Sequence, residues 1–257
     1  MPRDAAGRRP PSEAGTPPAN EAASLQAAAR ELGLALSREQ SDRLLAYCAL
    51  LRKWNAVYNL TAIRDPQAML VQHLFDCLAI VPPLTAIPGH GSTIADAPAS
   101  GGVRLGPNLL ADGAIVLDVG AGGGLPGVVL AVCAPAVQVH CIDAVGKKAA
   151  FVAQVRAELG LPNLHAHHAR VEQLRAPRDL PAANLIVSRA FASLAEFVTL
   201  TEHLLASAGA WAAMKGQYPA DELDALPASV RLAAAITLAV PQLRAQRHLL
   251  LLQRVAQ

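Results

Sequence analysis

The segment Ile115-Val116-Leu117-Asp118-Val119-Gly120-Ala121-Gly122-Gly123-Gly124-Leu125-Pro126-Gly127 constrains the fold more than any other part of the chain. An apolar run fit for a buried strand stops at a glycine-rich turn, and Val128-Val129-Leu130-Ala131-Val132 reads as the opening of a helix. Residues without Cβ let backbone N–H groups come close to a ligand. A second apolar run, Val137 to Ile142, ends at Asp143, which lies 23 positions after Gly120. That offset is near the roughly 20 expected for a carboxylate that accepts hydrogen bonds from a cofactor ribose. Together these features indicate a Rossmann-like site for a nucleotide or nucleoside.

The loop supports two readings. Gly122, Gly124 and Gly127 satisfy the G-x-G-x-x-G spacing of a dinucleotide fingerprint. Asp118 would then sit beside a diphosphate, and Pro126 would remove a backbone donor where an anion needs one. Counting from Asp118 instead gives D-x-G-x-G-x-G with Gly120, Gly122 and Gly124. That pattern suits S-adenosylmethionine, which has no phosphates and carries cationic sulfonium and ammonium groups, and the charge argument favours it.

Hydrophobic residues make up 53% of the 257-residue chain and the mean hydropathy is +0.29. Alanine accounts for the high value, and no uninterrupted apolar run approaches the roughly 18–20 residues of a spanning helix. Residues 1–20 read as a disordered leader without the apolar centre of a secretory signal. Residues 21–84 carry helical periodicity, with a capping box at Ser37 and Gln40 and a later helix opening at Asp65-Pro66 and stopping at Pro82-Pro83. Residues 85–113 have no period and read as a flexible insertion. In residues 114–257, five apolar strands alternate with helical stretches and an antiparallel pair closes the sheet. The expected class is α/β, a Rossmann-like methyltransferase sheet with an N-terminal helical subdomain.

Cys48, Cys77, Cys133 and Cys141 are too widely spaced for a metal knuckle and read as reduced core residues of a cytosolic protein. His165, His167 and His168 lack a further ligand at sensible spacing, so no metal site is expected. A net charge of +2 neither demands nor excludes nucleic acid.

The chain resembles the bacterial glucose-inhibited-division-B family of 16S ribosomal RNA guanine-N7 methyltransferases. The resemblance rests on Lys53-Trp54-Asn55-Ala56-Val57-Tyr58-Asn59-Leu60-Thr61, the His73…Asp76 pair, Asp118 through Gly127, Ser188-Arg189-Ala190-Phe191-Ala192-Ser193, and Met214-Lys215-Gly216. It implies S-adenosylmethionine as cofactor and N7 of guanine 527, in the decoding-region loop of small-subunit RNA, as acceptor. The implied partner is 16S rRNA or the small subunit, met by a cytoplasmic protein, a monomer away from any membrane. The family positions place Gly120 and Leu125 at the methionine and adenosine portions, and Val171 and Glu172 at the adenine.

Asp143 is expected at the ribose, and Arg189, at the end of the fourth strand, on the cofactor carboxylate or an RNA phosphate. His73, Arg189 and Lys215 are candidate positioning groups. No catalytic base is assigned, because guanine N7 has a free lone pair and needs no deprotonation. A small-molecule methyltransferase, a nicotinamide-dependent oxidoreductase and an inert RNA-binding factor remain as alternatives.

Overall fold

The computed structural model describes residues 19–85, 108–189, 191 and 193–255. Most of the expected leader (1–18) and insertion (86–107) therefore lies outside the described residues. Helix α1 spans Ala19–Glu31 and α2 spans Arg38–Tyr58. The expected capping box opens α2: Gln40 N–H donates to Ser37 Oγ at 3.1 Å and Ser37 N–H to Gln40 Oε1 at 2.9 Å. Helix α3, Pro66–Met69, starts at the N-cap Asp65, whose side chain accepts from Ala68 N–H at 2.7 Å.

A π-helical segment, Leu70–Phe75, joins α3 to α4, Asp76–Leu78. The chain then makes one further helix, α5, Val81–Thr85, across the prolines expected to end it. Pro82 and Pro83 occupy the first turn of a new helix, where the missing N–H groups have no intrahelical partner to lose. By length and composition alone Pro66–Thr85 is apolar enough to cross a membrane, but 72% of its 18-residue apolar window is buried inside the protein, as in a core helix.

The sheet holds β1 (Ile115–Val119), β2 (Gln138–Asp143), β3 (Leu164–His168), β4 (Ala183–Ser188), β5 (Leu205–Lys215), β6 (Val230–Thr237) and β7 (His248–Arg254). Their order is β3-β2-β1-β4-β5-β7-β6, parallel through β5, with β7 antiparallel to both β5 and β6. Helix α6 (Gly127–Cys133) follows β1, α7 (Gly146–Glu158) follows β2, and α8 (Leu194–Thr201) follows β4. Helix α8 ends at Thr201; a single 3-10 turn follows, and Leu205 already belongs to β5. A short exposed helix, α9 (Ala220–Asp224), lies before β6.

Strand order reverses between β1 and β4, and in sheets of this kind ligands bind outside the carboxyl ends of the strands at such a point. Two apolar cores flank the sheet. One joins α1 through α5 to α6, α7 and the near sheet face, with Leu44, Leu74, Val128 and Phe151 all fully buried. The other packs α8 on the far face around Trp211 and Phe197. His140, His165 and His167 stack near the β3 edge, with His140 Nδ1 2.9 Å from His167 Nε2.

Candidate active site

The glycine loop leaves β1 and turns into α6 at the reversal point. Gly122 has φ +59° and Gly120 φ +71°, a left-handed backbone that suits glycine. The loop is held by side chains on three sides. Asp143, at the end of β2, accepts from Gly122 N–H at 2.9 Å and from Val145 N–H at 2.8 Å. Asp118, from β1, accepts from Gly127 N–H at 2.7 Å. Tyr47, fully buried on α2, donates its hydroxyl to the Gly123 carbonyl at 2.7 Å.

A pocket opens between this loop and the helical layer. Gly120, Gly122 and Leu125 line it on one side; Thr61, His73 and Arg189 line it on the other. Lys148 stands at its rim, 3.8 Å from Asp143 Oδ2. Gly124 does not line the pocket; it makes room for Val128, whose Cγ2 would lie 2.7 Å from an added Cβ.

Asp118 departs from the expected cofactor contact. It is wholly buried behind the loop, with Oδ2 on Gly127 and Oδ1 without a partner. Burial pushes its carboxyl pKa up to about 7, partly offset by the Gly127 hydrogen bond and Arg189. A raised carboxyl pKa favours the protonated folded state, so this contribution is complete below about pH 4 and is lost as pH rises through 7. Asp118→Asn should therefore gain stability over the parent by about 1–3 kcal/mol at pH 8, the scale of an uncompensated buried polar group, and little at about pH 4, below the window in which the unfolded carboxyl ionises. Thermal unfolding of both proteins at the two pH values measures this, and a gap that does not grow with pH would refute it.

Arg189 meets the π-helical segment: it donates to the Gln72 carbonyl at 3.2 Å, lies 3.3 Å from His73 Nδ1, which is itself 3.3 Å from that carbonyl, and lies 3.7 Å from Asp76 Oδ2. Asp76 is buried and also accepts from Arg247 Nε at 3.0 Å. Burial raises its pKa, opposed by Arg247 and Arg189. His73 is buried as well; desolvation, then the Arg189 charge, lower its pKa to about 4.

Lys215 is not a pocket group: it pairs with Glu222 at 2.8 Å, and Glu222 also accepts from Leu194 N–H at 2.8 Å at the start of α8. Val171 is buried in the far core, while Glu172 lies on the surface 3.7 Å from Arg170. Neither lines the pocket. Tyr47, Thr61, Asp76 and Arg247 escaped selection as site residues, although Thr61 and Asp76 lie in stretches that carried the resemblance.

A seven-stranded sheet of this order, with a glycine loop after β1 and a carboxylate ending β2, is the Rossmann-like fold of class I S-adenosylmethionine-dependent methyltransferases. Within that class, a family model described as rRNA small subunit methyltransferase G matches residues 40–99 and 105–250. The chain belongs to that family.

It is 50% identical over 235 residues to the ribosomal RNA small subunit methyltransferase G of Acidovorax ebreus (strain TPSY), covering 90% of this chain and 95% of the relative. With the protein of the same name from Leptothrix cholodnii it shares 52% identity over 225 residues, covering 88% and 92%. Among solved structures, an S-adenosylmethionine-dependent methyltransferase from Aquifex aeolicus superposes with a TM-score of 0.44 at 16% identity, covering 57% of this chain and 85% of that one.

Proposed function

We propose that this protein transfers the methyl group of S-adenosylmethionine to N7 of guanine 527 in 16S rRNA. The observation that carries the reading is the pocket at the β1–β4 reversal, with a glycine-loop backbone on one wall and neutral and cationic side chains on the other. Residues 114–257 form the catalytic domain and residues 21–84 a helical subdomain that supplies the opposite wall. The protein acts as a cytoplasmic monomer on the small subunit or its RNA; the relatives' names, which specify ribosomal RNA of the small subunit, support the RNA substrate.

The residues fit the cofactor. Gly120, Gly122 and Leu125 form its cradle, and Asp143 has lone pairs beyond those used by Gly122 and Val145 for ribose hydroxyls. When bound, S-adenosylmethionine supplies an electrophilic methyl on a sulfonium. A diphosphate fits less well: Pro126 has no N–H, and Gly127 N–H is already given to Asp118. Arg189 offers a fixed positive charge at the pocket, and Lys147 and Lys148 lie at the start of α7 for phosphates.

The chemistry asks little of a base. Guanine N7 attacks through its own lone pair, so the enzyme needs alignment and exclusion of water rather than proton removal. His73, with its pKa near 4, is uncharged and weakly basic at pH 7, which agrees with that requirement. The test is single-turnover methylation of small-subunit RNA carrying 7-deazaguanine at the target. Transfer to the normal RNA and none to the deaza RNA is expected; methylation of both would exclude N7.

A further inference from the structure

Asp76 joins three parts of the chain beside the pocket. It is buried where the π-helical segment ends, and its N–H reaches back five residues to the Val71 carbonyl, a wider turn than an α-helix makes. Its carboxylate stands between two guanidiniums. Arg247, at the entry to β7, donates through Nε to Asp76 Oδ1 at 3.0 Å, and Arg189, just past β4, holds Nη1 3.7 Å from Oδ2. The three side chains together carry one net positive charge, and each is about a quarter exposed or less.

The unequal distances matter. Asp76 is hydrogen-bonded to Arg247 and only charge-paired with Arg189, so it offsets the burial of the Arg189 charge without taking one of its N–H groups. The Arg189 contacts to Gln72, His73 and Asp76 all run through Nη1. A guanidinium has five N–H groups in one plane, and three of them, on Nε and Nη2, lie outside those contacts. Arg189 lines the pocket whereas Gln72, Asp76 and Arg247 do not, so its Nη1 end is fastened from outside. Lys148, the other cation of the pocket wall, already lies 3.8 Å from Asp143 Oδ2.

We infer that Asp76, itself fixed by Arg247, is a positioning residue that holds the Arg189 guanidinium so that its Nε and Nη2 edge meets an oxyanion of the ligand. This rests on the methyl-transfer reading and deepens it. A planar pair of N–H groups matches two oxygens of one oxyanion. Two sources offer that chemistry: the carboxylate of the methyl donor and a phosphate of the RNA.

The test compares S-adenosylhomocysteine with its carboxamide analogue by calorimetry, and follows small-subunit RNA affinity against salt, in the parent, Asp76→Asn, Arg189→Gln and the two combined. If the oxyanion is the carboxylate, the parent prefers the acid to the amide by at least about tenfold, and Asp76→Asn narrows this to within about threefold. If it is a phosphate, the preference stays and the logarithmic salt slope of RNA binding becomes shallower by about 0.7. In either arm Arg189→Gln shows the same change, and adding Asp76→Asn to it takes nothing further, because Asp76 acts through Arg189. A packing role alone would weaken acid and amide alike and leave the salt slope as it was. Asp76→Asn strands the Arg247 charge, so Asp76→Asn with Arg247→Met, which removes that charge, gives a second folded route to the same change.

An unchanged preference and salt slope in both Asp76 variants overturns the assignment and leaves the methyl-donor reading standing. The same holds for a preference that rises, which would make Asp76 a competitor of the ligand, and for a further loss from Asp76→Asn in the Arg189→Gln protein. A parent that binds neither S-adenosylhomocysteine nor its amide overturns the methyl-donor reading together with the assignment.

Discussion

Gly122→Val should abolish measurable cofactor binding while leaving a folded protein. At φ +59° a β-branched residue is strained by roughly 1–2 kcal/mol, which lowers stability modestly. There is room to fold, because the nearest atom to an added Cβ is the Gly120 carbonyl oxygen at 3.9 Å. The valine methyls would therefore occupy the pocket itself. An affinity loss for S-adenosylhomocysteine of at least about 100-fold, near 2.8 kcal/mol, is expected by calorimetry. Gly160 offers a matched control: it has the same φ of +59° with nothing within 4 Å of its Cβ position, and it does not line the pocket. Gly160→Val should carry the same backbone cost and bind normally. Equal affinities for the two variants would move the cofactor away from the loop.

Gly127→Ala should produce the largest fall in stability. Its Cβ would run into Cys141 Sγ and come within 2.8 Å of Asp118 Oδ2 and 3.1 Å of Asp118 Cβ. Both neighbours belong to buried central strands and cannot swing aside. Relief requires α6 to shift, which weakens the Asp118–Gly127 hydrogen bond as well. Overpacking and a weakened buried bond together should cost about 3 kcal/mol. For a chain of this size that is a fall of about 6–12 °C in Tm. Combining Gly127→Ala with Cys141→Ala should return a good part of it, since the nearest obstacle is gone. Strict additivity of the two substitutions would place the strain elsewhere.

The strands of the sheet were legible because parallel strands are buried on both faces and read as unbroken apolar runs. The glycine loop and Asp143 were legible for a related reason: a turn that lets backbone approach a ligand leaves a residue pattern. What escaped notice depends on contacts distant in sequence. Tyr47 reaches Gly123 across 76 positions, and Arg247 reaches Asp76 across 171. No local period records either contact. Lys215 illustrates the opposite error, since a cation at a strand end looks available until Glu222 is seen beside it. Asp118 and Asp143 each serve the loop from behind, so their carboxylates combine bracing with any role toward a ligand. The short helices α5 and α9 escaped because prolines masked one, and the other is five exposed or half-buried residues with no apolar stripe.

Leu109 N–H donates to the Leu84 carbonyl at 3.0 Å, so the polypeptide passes the same place twice on either side of the segment that separates its two layers. A covalent tether there fixes no distance that the fold does not already fix. The helical layer and the sheet are thus suited to being supplied as two polypeptides that recognise each other through their common apolar core. Thr61, His73 and Asp76 would arrive on one piece; Gly122, Asp143 and Arg189 would arrive on the other. Neither fragment contains a complete pocket, and ligand binding becomes a direct reporter of reassembly.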